Sequence, residues 1–354
     1  MSLRRAAFAI PGDINTPTGG YIYERKLLEG LRAQGRDVVH LEFGASFPDP
    51  DRADMADAVM QLNALEPDRV VILDGFVSAT MDTDALARLH VPCVAMVHHP
   101  LALETGLSAA QRDRLYRIER ENLAHMAHVF VPSPSTAETI VSSYSVPRER
   151  VTVLRPGTEP PKLAPAPVSP PLILSVGIQH PRKGHDILLR ALARLRHLDW
   201  QAVIAGKVHD ASHAAELRAL GEELGLEARV EIAGFVAQDD LQRLYANATI
   251  FALATRFEGY GLVFDEALAH GLPIVSCRTG AVPDTVPQRA GRLVAVDDPN
   301  AFAAALSDLL TDDSMRQNMA QAAELEGRRL PMWKDTARVA GQVLDRLCGE
   351  PSSK

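Results

Sequence analysis

Glu258 and Glu266 stand with seven residues between them, inside T-R-F-E-G-Y-G-L-V-F-D-E-A-L-A-H-G at Thr255–Gly271. Carboxylates accept hydrogen bonds from sugar hydroxyls. Between them Gly259 and Gly261 allow a backbone turn that takes positive φ or approaches a ligand closely. Tyr260, Leu262 and Val263 complete that turn, and free amide N–H groups at a helix start suit an anion such as a diphosphate. One turn can therefore hold both halves of a nucleotide sugar. Elsewhere, Arg182 and Lys183 sit between a short apolar run and a helical pattern, where a lysine can neutralise a diphosphate. His98 and His99 close another apolar run, and an imidazole there can bond a hydroxyl or polarise a reacting centre.

The elements that must position these groups follow from periodicity. Thr249–Ala254 reads as a buried strand, the pattern turns helical near Val263, and Gly271 with Pro273 ends the helix before a strand at Ile274–Ser276. That is a βαβ unit with its loop at a strand's carboxyl end, where open parallel sheets bind ligands. Further strands are expected at Ala6–Ile10, Val38–Leu41, Arg69–Leu73, Cys93–Val97, Val129–Pro132, Val151–Leu154, Leu172–Val176, Ala202–Ala205 and Arg229–Ala233. Helices are expected over 21–34, over Leu107–His128, from a Ser135/Glu138 capping box, over Leu241–Ala246, and from Trp333 to Leu347. A proline-rich stretch, 159–171, is the clearest composition break and reads as an extended connection.

The two glutamates, the E-G-x-G-L core and the A-x-x-x-G-x-P-I-V ending resemble the family-4 retaining glycosyltransferases. T-G-G at 18–20, the V-H-H-P strand end and the K-G loop at 183–184 resemble further parts of that family. The resemblance implies an α/β chain of GT-B architecture, two Rossmann-like domains facing a central cleft. It places an acceptor-side domain at 1–158, the linker at 159–171, a nucleotide-sugar domain at 172–330, and a last helix in 331–354 crossing back to the first domain. It further implies transfer of a hexosyl group from a nucleotide diphosphate sugar to a saccharide, lipid-linked or small-molecule acceptor, with retention and without a metal or cofactor.

By that resemblance His98, Lys183 and Glu258 take part in catalysis, with His98 the better positional match than His99. Gly19, Gly20, Arg182, Lys183, Glu258, Gly259, Tyr260, Gly261, Leu262, Val263 and Glu266 hold the donor, Glu266 through the ribose. Two departures stand out: Ile178 lies where relatives carry a phosphate-binding arginine, for which either Arg182 or a cation from elsewhere in the chain can substitute, and Pro156-Gly157 replaces an Asn-Gly pair. Two alternatives remain open, a GT-B protein that binds sugar nucleotides without transfer and a sugar-nucleotide epimerase.

Composition narrows the class. A chain of 354 residues with 46% hydrophobic and 23% charged residues fits two globular domains. A net charge of -8 argues against a nucleic-acid partner, and G-x-G-x-x-G does not follow the first strand, which disfavours a nicotinamide dehydrogenase. Cys93, Cys277 and Cys348 are isolated, which fits a reducing cytoplasm. Asp49-Pro50-Asp51 lies in a Pro-rich loop and does not read as a metal site. Arg112, Arg114, Arg117 and Arg120 admit two readings, a solvated helix face with local ion pairs or peripheral contact with an inner membrane face.

Overall fold

A computed structural model describes residues 3–104 and 106–347. Contacts divide the chain into two compact units, Met1–Gly157 with Pro331–Lys354, and Thr158–Leu330. Each unit is built on one six-stranded parallel sheet.

In the first unit the strands are β1 (Ala6–Pro11), β2 (Val38–Phe43), β3 (Val70–Asp74), β4 (Cys93–Met96), β5 (His128–Val131) and β6 (Val151–Val153). They pair in the order β2-β1-β3-β4-β5-β6. The strand order reverses between β1 and β3, which pair in register Ala6↔Val70 to Ala9↔Leu73. β1, β3, β4 and β5 are buried along their whole length, as parallel strands covered on both faces must be. One face packs Phe8, Ile10, Leu27 and Leu31 against Ala337, Ala340 and Leu344 of the last helix, Trp333–Arg346. That helix lies so close to the first helix, Gly19–Ala33, that a Cβ on Gly30 would come within 2.6 Å of the Ala337 methyl. Buried Arg36 pairs with Asp345 at 2.8 Å and fixes its far end.

The second unit contains β7 (Leu172–Val176), β8 (Gln201–Ala205), β9 (Val230–Gly234), β10 (Ile250–Leu253), β11 (Ile274–Cys277) and β12 (Gly291–Val294), in the order β12-β11-β10-β7-β8-β9. Here the reversal falls between β7 and β10. The proline-rich stretch runs along this unit, with the amides of Ala166 and Val168 donating to the carbonyls of Ala246 and Asn247.

Two local expectations are corrected. The long helix after the histidines spans Ala109–Ala124 and starts at Ser108, whose side chain forms a capping box with Gln111, and His128 opens β5 instead. The following helix begins at Pro134 and is capped by Ser133, which accepts from the Thr136 amide, so the Ser135/Glu138 box does not form. Proline is favoured at the first helical position, so Pro134 places the cap on Ser133, two residues before Ser135. Asp51 caps the helix Arg52–Asn63 by accepting from Ala53 and Asp54, a structural use for the acidic loop at 49–51. Cys93 and Cys277 are buried, and Cys348 lies outside the described residues. Among the described residues no helix is long and apolar enough to cross a membrane.

Candidate functional site

In the second unit the loops after β7 and β10 meet at the reversal of strand order, the position where doubly wound sheets bind ligands. The first loop carries Gln179 to Gly184, with a short 3-10 turn at Pro181–Lys183. Gly184 is left-handed at φ +64, and a Cβ there would sit 1.9 Å from the Ala254 carbonyl, so only glycine lets the two loops approach. The second loop carries Thr255 to Gly261. Gly261 adopts φ +87 and caps the helix Leu262–Ala269, which aims its first amides into the same space.

The charged groups converge on Glu258, which is 5% exposed. Lys183 Nζ donates to its Oε1 at 2.6 Å, and Thr255 Oγ1 donates to the same oxygen at 3.0 Å. Arg182 Nη1 lies 3.7 Å from Oε2 and donates to the Phe257 carbonyl at 3.0 Å. Burial alone would push the Glu258 carboxyl up, but the charges of Lys183 and then Arg182 hold it below its ordinary value. Arg182 thus reaches the same carboxylate as Lys183, while Ile178 offers no charge.

Arg256 ties the loops together. Its guanidinium grips Asp186 at 3.0 and 2.8 Å and Asp297 at 2.7 Å, and its amide donates to the Arg182 carbonyl at 2.8 Å. Glu266, in the second turn of its helix, accepts from the Tyr245 hydroxyl at 2.7 Å. Burial raises its carboxyl to about 7, against the Tyr245 bond, which lowers it. The Tyr260 hydroxyl is committed to buried Asp265, which leaves its backbone to face the turn.

In the first unit Gly19 and Gly20 open the helix Gly19–Ala33, whose start receives no side-chain cap from Thr18. The Cδ2–Nε2 edge of His98 lies over Gly20, where a Cβ would meet it at 3.7 Å, an ordinary contact. His98 Nε2 is 3.2 Å from Glu24 Oε1 and 4.0 Å from Asp74 Oδ2, whereas His99 is held by Glu104 at 2.9 Å. Burial lowers the His98 pKa, against the charge of Asp74, which raises it.

The structure therefore gathers Arg182, Lys183, Glu258, Gly261 and the start of the helix bearing Glu266 in one unit, and Gly19, Gly20 and His98 in the other. Sequence reasoning missed Thr255, Arg256, Tyr245, Glu24 and Asp74. Thr255 and Arg256 lay inside the motif that was read, but Tyr245 meets Glu266 across 21 positions and Glu24 meets His98 across 74, beyond any local pattern.

Two family models match adjoining parts of the chain. The one described as "Glycosyl transferases group 1" covers residues 161–326, and the one described as "Glycosyltransferase Family 4" covers 36–161. The chain belongs to the family-4 glycosyltransferases. A D-inositol 3-phosphate glycosyltransferase of Nocardioides is 31% identical over 260 residues, 66% of this chain and 57% of that protein. An MMP alpha-(1->4)-mannosyltransferase of Mycolicibacterium hassiacum is 29% identical over 66% of this chain and 60% of its own length. The chain thus matches less than two thirds of the length of these family members. A sucrose-phosphate synthase from Thermosynechococcus elongatus superposes with a TM-score of 0.82 at 22% identity, covering 97% of this chain and 99% of its own. The Anabaena protein HepE, solved with UDP-glucose, superposes at 0.77 with 16% identity over 97% and 99%. The fold is the α/β fold of GT-B glycosyltransferases, with one doubly wound sheet in each unit.

Proposed function

We propose that this protein is a retaining hexosyltransferase that uses a nucleotide diphosphate sugar as donor and a hydroxyl compound as acceptor. The convergence of Lys183 and Arg182 on Glu258, beside the first amides of the helix Leu262–Ala269, carries this reading. Two cations and a helix N-terminus at a switch point suit the leaving diphosphate, where charge develops as the glycosidic bond breaks. The names of the family's transferases support sugar transfer, and the UDP-glucose in the HepE structure supports the donor class.

In this mechanism the donor's diphosphate enters the space at the helix start and draws Lys183 toward itself. Glu258 keeps its charge through Thr255 and Arg182, and its Oε2 accepts a sugar hydroxyl. Glu266, oriented by Tyr245, accepts the ribose hydroxyls, and Gly259 and Tyr260 contribute backbone groups. The bond from the anomeric carbon to the phosphate oxygen breaks, and its electron pair stays on the diphosphate. The acceptor oxygen bonds to the same face of that carbon, and its proton passes to the departing phosphate oxygen. His98 meets a hydroxyl of the reacting sugar or of the acceptor. Protein cations and amide dipoles carry the diphosphate charge, so the reading assigns no metal and no cofactor to the reaction.

A panel of uridine-, guanosine- and adenosine-diphosphate sugars, scored by thermal shift and by release of the nucleoside diphosphate, tests this. One base class should stabilise the protein and be turned over with an alcohol or sugar acceptor. Binding without release would reduce the protein to a sugar-nucleotide binder, and no binding by any member would remove the donor site.

A further inference from the structure

The cluster around His98 has an internal chemistry that the transfer reaction does not by itself require. Glu24 comes from the second turn of the helix Gly19–Ala33, Asp74 is the last residue of β3, and His98 follows β4. All three stand at the first sheet's reversal of strand order. One ligand atom from each lies within 4.8 Å of the others, the only such trio of His, Cys, Asp or Glu groups among the described residues. Glu24 is 1% exposed and Asp74 5% exposed, and a carboxylate oxygen of each lies within 4.8 Å of the other. Among the described residues no lysine or arginine is bonded to either.

Two carboxylates this close, out of water and without a cation, cannot both be ionised, so one proton is held between them. One negative charge remains. Asp74 Oδ1 accepts the Phe76 amide at 2.7 Å as cap of the helix Gly75–Thr80, which leaves Glu24 Oε1 as the oxygen that faces the imidazole. The neighbouring hydroxyls are spent elsewhere, Tyr21 on the Pro11 carbonyl at 2.8 Å and Tyr23 on the Leu154 carbonyl. Asp13 adds only negative charge to this neighbourhood. His98 Nε2–H is the donor that remains.

We infer that Glu24 and Asp74 are positioning residues: a proton-sharing carboxyl pair that accepts the Nε2–H of His98, fixing a neutral imidazole that presents the Nδ1 lone pair. A fixed lone pair accepts a hydroxyl proton and repels an oxyanion. The partner of His98 is therefore a neutral sugar or alcohol hydroxyl and not a phosphate. Burial raises Glu24 to about 7 and Asp74 well above the carboxylate range, which agrees with one retained proton at neutral pH.

The kinetic arm of the test rests on the transferase reading, and the spectroscopic arm does not. Histidine-15N-labelled protein at pH 7.5, with the His98 signals assigned through His98→Asn, should show the neutral tautomer protonated on Nε2. Folded Glu24→Leu should lose that preference, and Glu24→Gln, whose amide oxygen still accepts, should keep it. Where Glu24→Leu does not fold, Glu24→Met, close in shape to glutamate and without an oxygen acceptor, takes its place and should lose the preference in the same way. In turnover, Glu24→Leu should lower kcat at least tenfold with donor KM within threefold, and Glu24→Gln should recover to within threefold of wild type. A wild-type imidazolium, a proton on Nδ1, or an unchanged tautomer in the folded leucine variant overturns the inference. So does one equivalent of a divalent ion that is lost with Glu24→Leu, because a cation would then hold the charge. Should no donor be turned over by the wild type, the transferase reading falls while the spectra still decide this one.

Discussion

Glu258 and Lys183 form a pair whose members have different work to do once a donor arrives. Removing one partner of a buried pair leaves the other charge uncompensated, so their variants should behave unequally. Lys183→Ala should lower turnover at least about tenfold, or about 1.4 kcal/mol in barrier, as read from nucleoside diphosphate release. A near-native rate would move the phosphate role to Arg182 alone. Glu266 tests the other half of the donor. Its carboxyl is raised to about 7, so it holds a proton below that pH and becomes a full acceptor above it. Donor KM should therefore rise as pH falls from 8 to 6, and Glu266→Gln should raise KM at pH 8 and flatten its pH dependence. Initial rates across that range check both, and a Gln variant with wild-type KM at every pH would detach Glu266 from the ribose. The first glutamate, the glycines and the lysine were legible because they crowd into short stretches whose chemistry is local. Their partners were not, since Tyr245 and Glu24 are ordinary helical residues until the sheet brings them beside Glu266 and His98.

At the scale of elements, eleven of the twelve strands were legible from continuous apolar runs, with boundaries that agree to within a residue or two, while the short, partly exposed edge strand β12 was not. Helix starts were less so, because Ser133 and Ser135 are both able caps and only the proline between them decides. What the runs do not carry is how closely loops approach. Gly184→Ala would place a methyl against the Ala254 carbonyl in a left-handed backbone, and should cost at least about 1–3 kcal/mol from strain, measured by urea unfolding. A second element-scale effect concerns Glu119 of the helix Ala109–Ala124, which is 1% exposed and accepts the Leu101 amide at 3.1 Å, anchoring the turn after the histidines. Burial raises its carboxyl to about 8, opposed by that amide. The folded state thus holds the proton more tightly than the unfolded chain. Its contribution is full below about pH 4.5 and is lost as pH rises through about 8, with a limiting slope of about 1.4 kcal/mol per pH unit. Urea midpoints of wild type and Glu119→Gln at pH 5, 6.5 and 8 should diverge with that sign, the wild type losing stability relative to the variant as pH rises.

For the whole molecule, the division into units depends on contacts that sequence order conceals. The proline-rich stretch marks where the sheets change, but residues 331–346 belong with the first unit because Gly30 and the small residues Ala337 and Ala340 let two helices pack closely. Apart from Gly19 and Gly20, the residues assigned to the donor lie in Thr158–Leu330. A ligand stabilises the state that binds it by RT ln(1 + [L]/Kd), about 2.7 kcal/mol at one hundred times Kd. A nucleoside diphosphate without sugar, of the base selected by the donor panel, should therefore stabilise that unit through Lys183, Arg182 and the amides near 259–263. Hydrogen exchange followed by mass spectrometry should show added protection at 259–263 and slowed global exchange in β7 and β10, with amides of β1 and β3 unchanged. Lys183→Ala should shrink the gain at equal ligand concentration, and Thr255→Val should shrink it less, since that hydroxyl orients Glu258 and touches no phosphate. Protection centred on β1 and β3 instead would assign the diphosphate to the unit that carries His98 and remove it from Lys183 and Arg182.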